Sequence, residues 1–281
     1  MNILGIASGI GAEKRGAELG VWDLYYTLPE KFNINFNKIF FTNATERKLD
    51  AIENWYNLTK KTQKFITENN DINEQYLFIT GDHSNGFCVW NALLKKYNGD
   101  MGLIWIDAHL DAHTVQSSYS HNIHGMPISH LLGYGDTKVQ ELNKNFLDAK
   151  NLCFIGTRDY EKAELEFLEQ RGVKIFFMKN ITKQNIQNTV KKAIEYVSRN
   201  TKKFGISIDI DGFDPNEAGA TGCFCPNGLS PLEIIKSLKN LVKNPQFCGL
   251  EITEFDTKKD TKNQTKNIIL KIIASVFNLK L

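Results

Sequence analysis

Three observations predict an α/β fold with a mainly parallel sheet. Short apolar, strand-like runs alternate with helix-like segments along the whole chain. Strands joined by crossover helices must run mainly parallel. Acidic residues and histidines gather directly after several of the apolar runs, at the carboxyl ends of strands, where parallel α/β folds carry their sites.

The expected strands, in order, are Ile3-Leu-Gly-Ile-Ala-Ser8, Lys38-Ile-Phe-Phe-Thr42, Tyr76-Leu-Phe-Ile-Thr80, Leu103 to Asp107, Leu152-Cys-Phe-Ile-Gly156, Val173-Lys-Ile-Phe-Phe177, Gly205-Ile-Ser-Ile-Asp209 and Leu250-Glu-Ile-Thr-Glu254. Each is a short, largely apolar run. Between them the spacing predicts helices over Glu46 to Glu68, Asn85 to Tyr97, Lys162 to Arg171, Lys183 to Ser198 and Pro231 to Val242, with Lys262 to Phe277 closing the chain. Eight such units form either a closed barrel or an open sheet, and the pattern alone does not choose.

Bulk properties bound the setting. With 281 residues, 42% of them hydrophobic and 23% charged, the chain can bury a full core, and no linker, repeat or composition break divides residues 1–281. A single domain is expected. Thirty-four basic against 32 acidic residues give no field suited to nucleic acid, and the Lys-rich stretch from Lys258 to Lys266 reads as a solvated face. No apolar run reaches the length of a membrane span. The N-terminal stretch lacks the basic region of a signal peptide. Five scattered cysteines argue against a disulfide framework and for a reducing cytoplasm. Cys223 and Cys225 read as incidental thiols, since a zinc site needs more soft ligands.

All six histidines fall between His83 and His130. The run Asp107-Ala-His109-Leu-Asp111-Ala-His113 follows the apolar Met101-Gly-Leu-Ile-Trp-Ile106, and in extended chain Asp107, His109 and Asp111 share one face, with His113 in phase beyond them. Ser207-Ile-Asp209-Ile-Asp211 has the same period, and Gly81-Asp82-His83-Ser84 closes a third run. Six candidate ligands from three strand ends can reach one point. Four carboxylates and two imidazoles suit Mn²⁺ better than a structural zinc, and two ions can share them through Asp107 and Asp209. Ions roughly 3.5–4 Å apart activate a shared water near neutral pH.

These residues resemble the arginase, or ureohydrolase, family over most of the chain. Thr80-Gly81-Asp82-His83-Ser84 is similar to the family's G-G-D-H-S, Asp107-Ala-His109-Leu-Asp111 to D-A-H-x-D, and Ser207-Ile-Asp209-Ile-Asp211-Gly-Phe-Asp214-Pro215 to S-x-D-x-D-x-x-D-P. The resemblance implies a three-layer α/β/α fold with an open, eight-stranded parallel sheet. It assigns His83, Asp107, Asp111 and Asp209 to a more buried ion, and Asp107, His109, Asp209 and Asp211 to a second. It further implies cleavage of L-arginine to L-ornithine and urea, and an oligomer, arginases commonly being trimers.

Outer loops bear on the substrate. Ser120-His121-Asn122-Ile123-His124-Gly125-Met126-Pro127 resembles the arginase segment S-G-N-L-H-G-x-P, and His124 matches the family's proton-transfer histidine. The resemblance puts Ser120 and Asn122 in the loop that holds an α-carboxylate, and His113 where arginases have Asn. Gly156-Thr-Arg158-Asp159-Tyr-Glu161-Lys-Ala-Glu164 resembles G-L-R-D-x-D-x-x-E, whose acidic groups face an α-amino group, with Glu161 replacing Asp. Glu254 matches the glutamate that pairs with the guanidinium, and Thr221 another active-site loop position. Glu251 and Asp256 read as structural, and His121 and His130 receive no role. Two alternatives stay open: an agmatinase or other guanidino-acid amidinohydrolase, and a non-catalytic metal-binding relative.

Overall fold

The structure, a computed structural model, describes all residues except 14, 43–49 and 70. Among them, eight strands form one parallel sheet: β1 (Asn2–Ala7), β2 (Lys38–Phe41), β3 (Tyr76–Thr80), β4 (Met101–Ile106), β5 (Leu152–Thr157), β6 (Lys174–Phe177), β7 (Lys203–Asp209) and β8 (Phe247–Thr253). Their order is β2-β1-β3-β8-β7-β4-β5-β6, so the sheet is open with β2 and β6 at its edges.

Helices cover both faces: α1 (Glu18–Phe32), α2 (Ala51–Glu68), α3 (Ser84–Lys96), α4 (Pro127–Leu131), α5 (Thr137–Gln140), α6 (Lys162–Glu169), α7 (Ile186–Ser198), α8 (Pro231–Ser237) and α9 (Gln264–Phe277). Side chains of the central strands alternate between two cores. Leu77, Ile79, Ile104 and Ile106 pack with α1, α7, α8 and α9, whereas Phe78, Leu103 and Trp105 pack with α2 and α3. That period of two gives the three-layer architecture. Each such fully buried side chain contributes roughly 1.5–3 kcal/mol relative to exposure.

Sequence and structure differ in informative places. The expected helix from Glu46 begins at Ala51, where Asp50 caps it by accepting from the Glu53 N–H at 2.7 Å; residues 46–49 lie outside the described residues. Helix α1 escapes the sequence pattern because Gly20 and Pro29 both count against helix. Gly20 is needed there, since a Cβ would meet the Phe255 carbonyl oxygen at 2.2 Å. The helix expected to run to Val242 stops at Ser237, and Asn240, at φ 60°, turns the chain and donates its N–H to the Ser275 carbonyl at 2.7 Å. Strand β4 ends at Ile106, so the extended period expected through Asp111 and His113 does not hold. Asp111 instead adopts φ 48°. The ligand candidates converge through a loop, not along a strand face.

The topology places those candidates. β3, β8, β7 and β4 are consecutive neighbours at the centre of the sheet. His83, Glu254, Asp209 and Asp107 leave from their carboxyl ends, so four segments distant in sequence meet on one rim.

Candidate active site

His83 Nδ1 stands 3.1 Å from Asp107 Oδ2, 3.0 Å from Asp111 Oδ2 and 3.1 Å from Asp209 Oδ2. It is buried, and among the described residues it has no partner with hydrogen-bond geometry. The other ring nitrogen, Nε2, lies 3.0 Å from Ser207 Oγ. Ser207 gives its single proton to Glu251 Oε2 at 2.7 Å, so toward the imidazole it accepts, and His83 carries its proton on Nε2. Nδ1 is then the nitrogen turned toward the three carboxylates, and it offers its lone pair there once a shared cation replaces a proton. Glu251 is held in turn by Thr80 Oγ1 at 2.7 Å and Trp90 Nε1 at 2.6 Å. Gly205 on β7 makes room for that indole, where a Cβ would meet the Trp90 ring at 2.1 Å.

A second cluster adjoins the first. His109 Nδ1 lies 3.2 Å from Asp211 Oδ2 and 3.5 Å from Asp107 Oδ1. Asp107 thus turns one oxygen toward each imidazole. Its orientation is fixed by Trp105 Nε1, which donates to Oδ2 at 2.9 Å, and by the His109 N–H, which donates to Oδ1 at 2.7 Å. Asp209 Oδ1 accepts the Asp211 N–H at 2.8 Å.

The electrostatics also fit a cationic occupant. Burial and the neighbouring carboxylates Asp211 and Asp107 push Asp209 well above the usual carboxylate range. Burial and Asp107 raise Asp111 to about 7. Burial raises Asp211 as well, against the pull of His109. Burial opposes charge on Asp107 too, but its contacts with His109 and His83 hold it low. Burial disfavours a charged His83, yet the close approach of Asp107, Asp111 and Asp209 raises its pKa well above normal. Packing this much negative charge with two imidazoles and no Lys or Arg among the donors is costly without a cation. All six expected ligand residues are in these two clusters.

A cavity of about 310 Å³ opens over the clusters. Glu254, at φ 62°, sits in it directly after β8; its Oε1 accepts the His83 N–H at 2.8 Å and lies 3.6 Å from His124 Nδ1. Burial disfavours the charged form of His124, but the contact with Glu254 and the charges of Asp111 and Asp82 outweigh it and raise the imidazole to about 9. Asp82, itself raised to about 6 by burial and by Glu254, accepts from Gly11 N at 2.9 Å, and the Gly11 carbonyl accepts the His124 N–H at 3.2 Å. Farther out, His113 Nε2 lies 3.5 Å from both Glu161 Oε1 and Glu164 Oε2. Ser120 and Asn122 line the same cavity.

Thr221 is not among the residues lining this cavity; it is buried, and its hydroxyl finds no hydrogen-bond partner among the described residues. Cys223, two residues on, does line it. The thiol is raised to about 12 by partial burial and by Asp211, Asp209 and Glu254, against the pull of His109. Sequence reasoning also passes over Trp105, Ser207, Asp82 and Arg158. Asp82, Ser207 and Arg158 stand inside the motifs without receiving a role of their own, Ser207 shares a face of β7 with Asp209, and Trp105 lies two residues before Asp107.

The Arginase family model matches residues 1–278. The chain is 30% identical over 269 residues to the arginase of Staphylococcus aureus (strain MRSA252), covering 90% of this chain and 89% of that one. It is 28% identical over 305 residues to the arginase of Brevibacillus brevis, covering 100% and 98%. The crystal structure of the Bacillus cereus arginase superposes with a TM-score of 0.89 at 25% identity, covering 100% and 99%. The chain belongs to the arginase family of ureohydrolases.

Proposed function

We propose that this ureohydrolase binds two Mn²⁺ ions and hydrolyses L-arginine to L-ornithine and urea. The observation that carries the reading is Asp107, whose two carboxylate oxygens face the His83 cluster on one side and the His109 cluster on the other. In this reading His83, Asp107, Asp111 and Asp209 hold the inner ion, and Asp107, His109, Asp209 and Asp211 the outer one. Bound there, the ions supply Lewis-acid charge and lower the pKa of a water.

The side chains do the rest. Glu254 pairs with the planar guanidinium through charge-assisted hydrogen bonds and presents its carbon to the clusters. Asp111 passes a proton to the leaving amine nitrogen. His124, partly exposed beside Glu254, exchanges protons with solvent. Water adds across the C–N bond, so one urea and one primary amine leave for each guanidinium consumed. Charge already fixed in the cavity stabilises the tetrahedral species without reorganisation.

The outer wall supports an amino acid as substrate. Glu161 and Glu164 offer negative charge to an α-amino group, while Ser120 and Asn122, which line the same cavity, offer polar groups to an α-carboxylate. A second reading, agmatine, which lacks a carboxylate, is favoured by one observation: both glutamates lie beside His113, which leaves that imidazole less free to meet a carboxylate. The reading includes one domain over residues 1–281, a cytoplasmic setting and a homo-oligomer, by resemblance a trimer. Among the described residues no helix is long and apolar enough to cross a membrane.

Urea release with Mn²⁺ across arginine, agmatine and shorter guanidino acids tests the assignment. Arginine is expected to give the highest kcat/KM. A higher value for agmatine would favour the second reading, and a metal-loaded protein that binds these compounds but releases urea from none would mark a non-catalytic relative.

A further inference from the structure

The cavity carries one nucleophilic group that the reading above leaves without a task. We propose that the Cys223 thiolate is a further ligand of the outer ion, an inference that rests on the two-ion reading. Cys223 Sγ, a His109 ring nitrogen and an Asp211 carboxylate oxygen all lie within 4.8 Å of one another. That is about the span of donors round a single ion whose bonds run roughly 2.0–2.3 Å. Asp211 is buried, with Oδ2 3.2 Å from His109 Nδ1.

The thiol is held there by design of the loop. Arg158 Nη2 donates to the Asp211 carbonyl at 2.6 Å and to the Cys225 carbonyl at 2.8 Å, and its Nε donates to the Pro226 carbonyl at 2.9 Å. One guanidinium therefore fixes both the backbone of a ligand candidate and the segment that presents Cys223. On the other side Lys259 Nζ donates to the Thr221 carbonyl at 2.6 Å. The remaining cysteines are accounted for differently: Cys88 lies against Thr59 at 3.2 Å, Cys153 and Cys248 are core residues of β5 and β8, and Cys225 is buried beside Arg158. Cys223 is the exposed one, and it lines the cavity.

Coordination releases the thiol proton to solvent and leaves a soft sulfur on the outer ion. Soft ligands favour Co²⁺, Zn²⁺ and Fe²⁺ over Mn²⁺, so the two positions of the pair differ in metal preference. The outer position accepts the softer ions.

Cobalt provides the test. The full-length protein, Cys223→Ser and Cys225→Ser are each loaded with Co²⁺, and metal content and electronic absorption are recorded. Expected is a sulfur-to-cobalt charge-transfer band in the wild type and in Cys225→Ser, absent from Cys223→Ser although cobalt content and the visible d–d bands persist. The preference for Co²⁺ over Mn²⁺ should fall at least about tenfold in Cys223→Ser. A wild-type protein that binds two Co²⁺ without that band, or a band that survives in Cys223→Ser, would overturn the proposal and leave the two-ion reading standing. A wild-type protein that binds no Co²⁺ or Mn²⁺ at all would overturn both.

Discussion

The indole of Trp105 lies flat against the imidazole of His83, with ring centroids 4.0 Å apart and planes 8° apart. The same indole donates to Asp107 Oδ2. One side chain on β4 thus limits rotation of two of the proposed ligands, which come from different strand ends.

Trp105→Phe separates those effects, since it keeps an aromatic face on His83 and removes the donor to Asp107. Affinity for the metal pair should weaken by about 10–100-fold, the usual cost of losing a partner that orients a ligand. Calorimetric Mn²⁺ titration of both proteins measures it. An unchanged affinity would show that the hydrogen bond to Asp107 is dispensable.

His124→Asn should lower kcat by about 10²-fold or more while leaving metal content unchanged, because proton transfer is lost and the clusters are not. Urea release and metal analysis on one preparation give both numbers. Loss of metal together with activity would place His124 among the groups that hold the site together.

His130 makes a prediction about stability. Burial lowers its pKa from 6.5 to about 4; Nδ1 faces the Met126 carbonyl at 2.9 Å, and Nε2 accepts the Asp136 N–H at 2.8 Å. Asp136 is the charged group beside it, and the rings of Trp55 and Phe87 pack around it. The unfolded chain takes up this proton near pH 6.5 and the folded chain only near pH 4, so in that window the unfolded state binds more protons and stability falls as pH falls. The contribution, fully present above pH 6.5, is on the order of 3 kcal/mol. Guanidinium denaturation of metal-free wild type and His130→Gln should show their stability difference shrinking as pH falls from 6.5 to 4. A difference that holds constant, or an imidazole that titrates near 6.5 by NMR, would contradict it.

Much of this was legible in the chain because the site motifs are local. Tyr76–Thr80 was bounded at both ends by its apolar run, and Asp107, Asp209 and His83 were placed at strand ends because polar ligand residues follow apolar strands directly. Asp111 and Glu254 were legible as residue types but not as conformations, since a left-handed backbone at a carboxylate is imposed by tertiary contacts and not by propensity. One such contact is the Glu254 N–H to the Gly81 carbonyl at 2.8 Å. The Glu251–Ser207–His83 chain links β8, β7 and the segment after β3, so the contacts themselves leave no local spacing to read. Cys223 reads in the sequence as an incidental thiol, because its place beside Asp211 depends on Arg158 tying a distant loop to the Asp211 backbone. Thr221, named by resemblance, is buried and does not line the cavity, and Cys223, two residues on, does.

Metal stoichiometry measured beside urea release in the wild type and in Asp209→Ala tests the central claim most directly. Asp209 stands in the inner cluster and orients the Asp211 N–H, so its loss should remove metal loading and arginine turnover together, while in the wild type turnover rises with added Mn²⁺ and levels off at two ions per chain. Substantial urea release from metal-free protein, or from Asp209→Ala, would contradict the account.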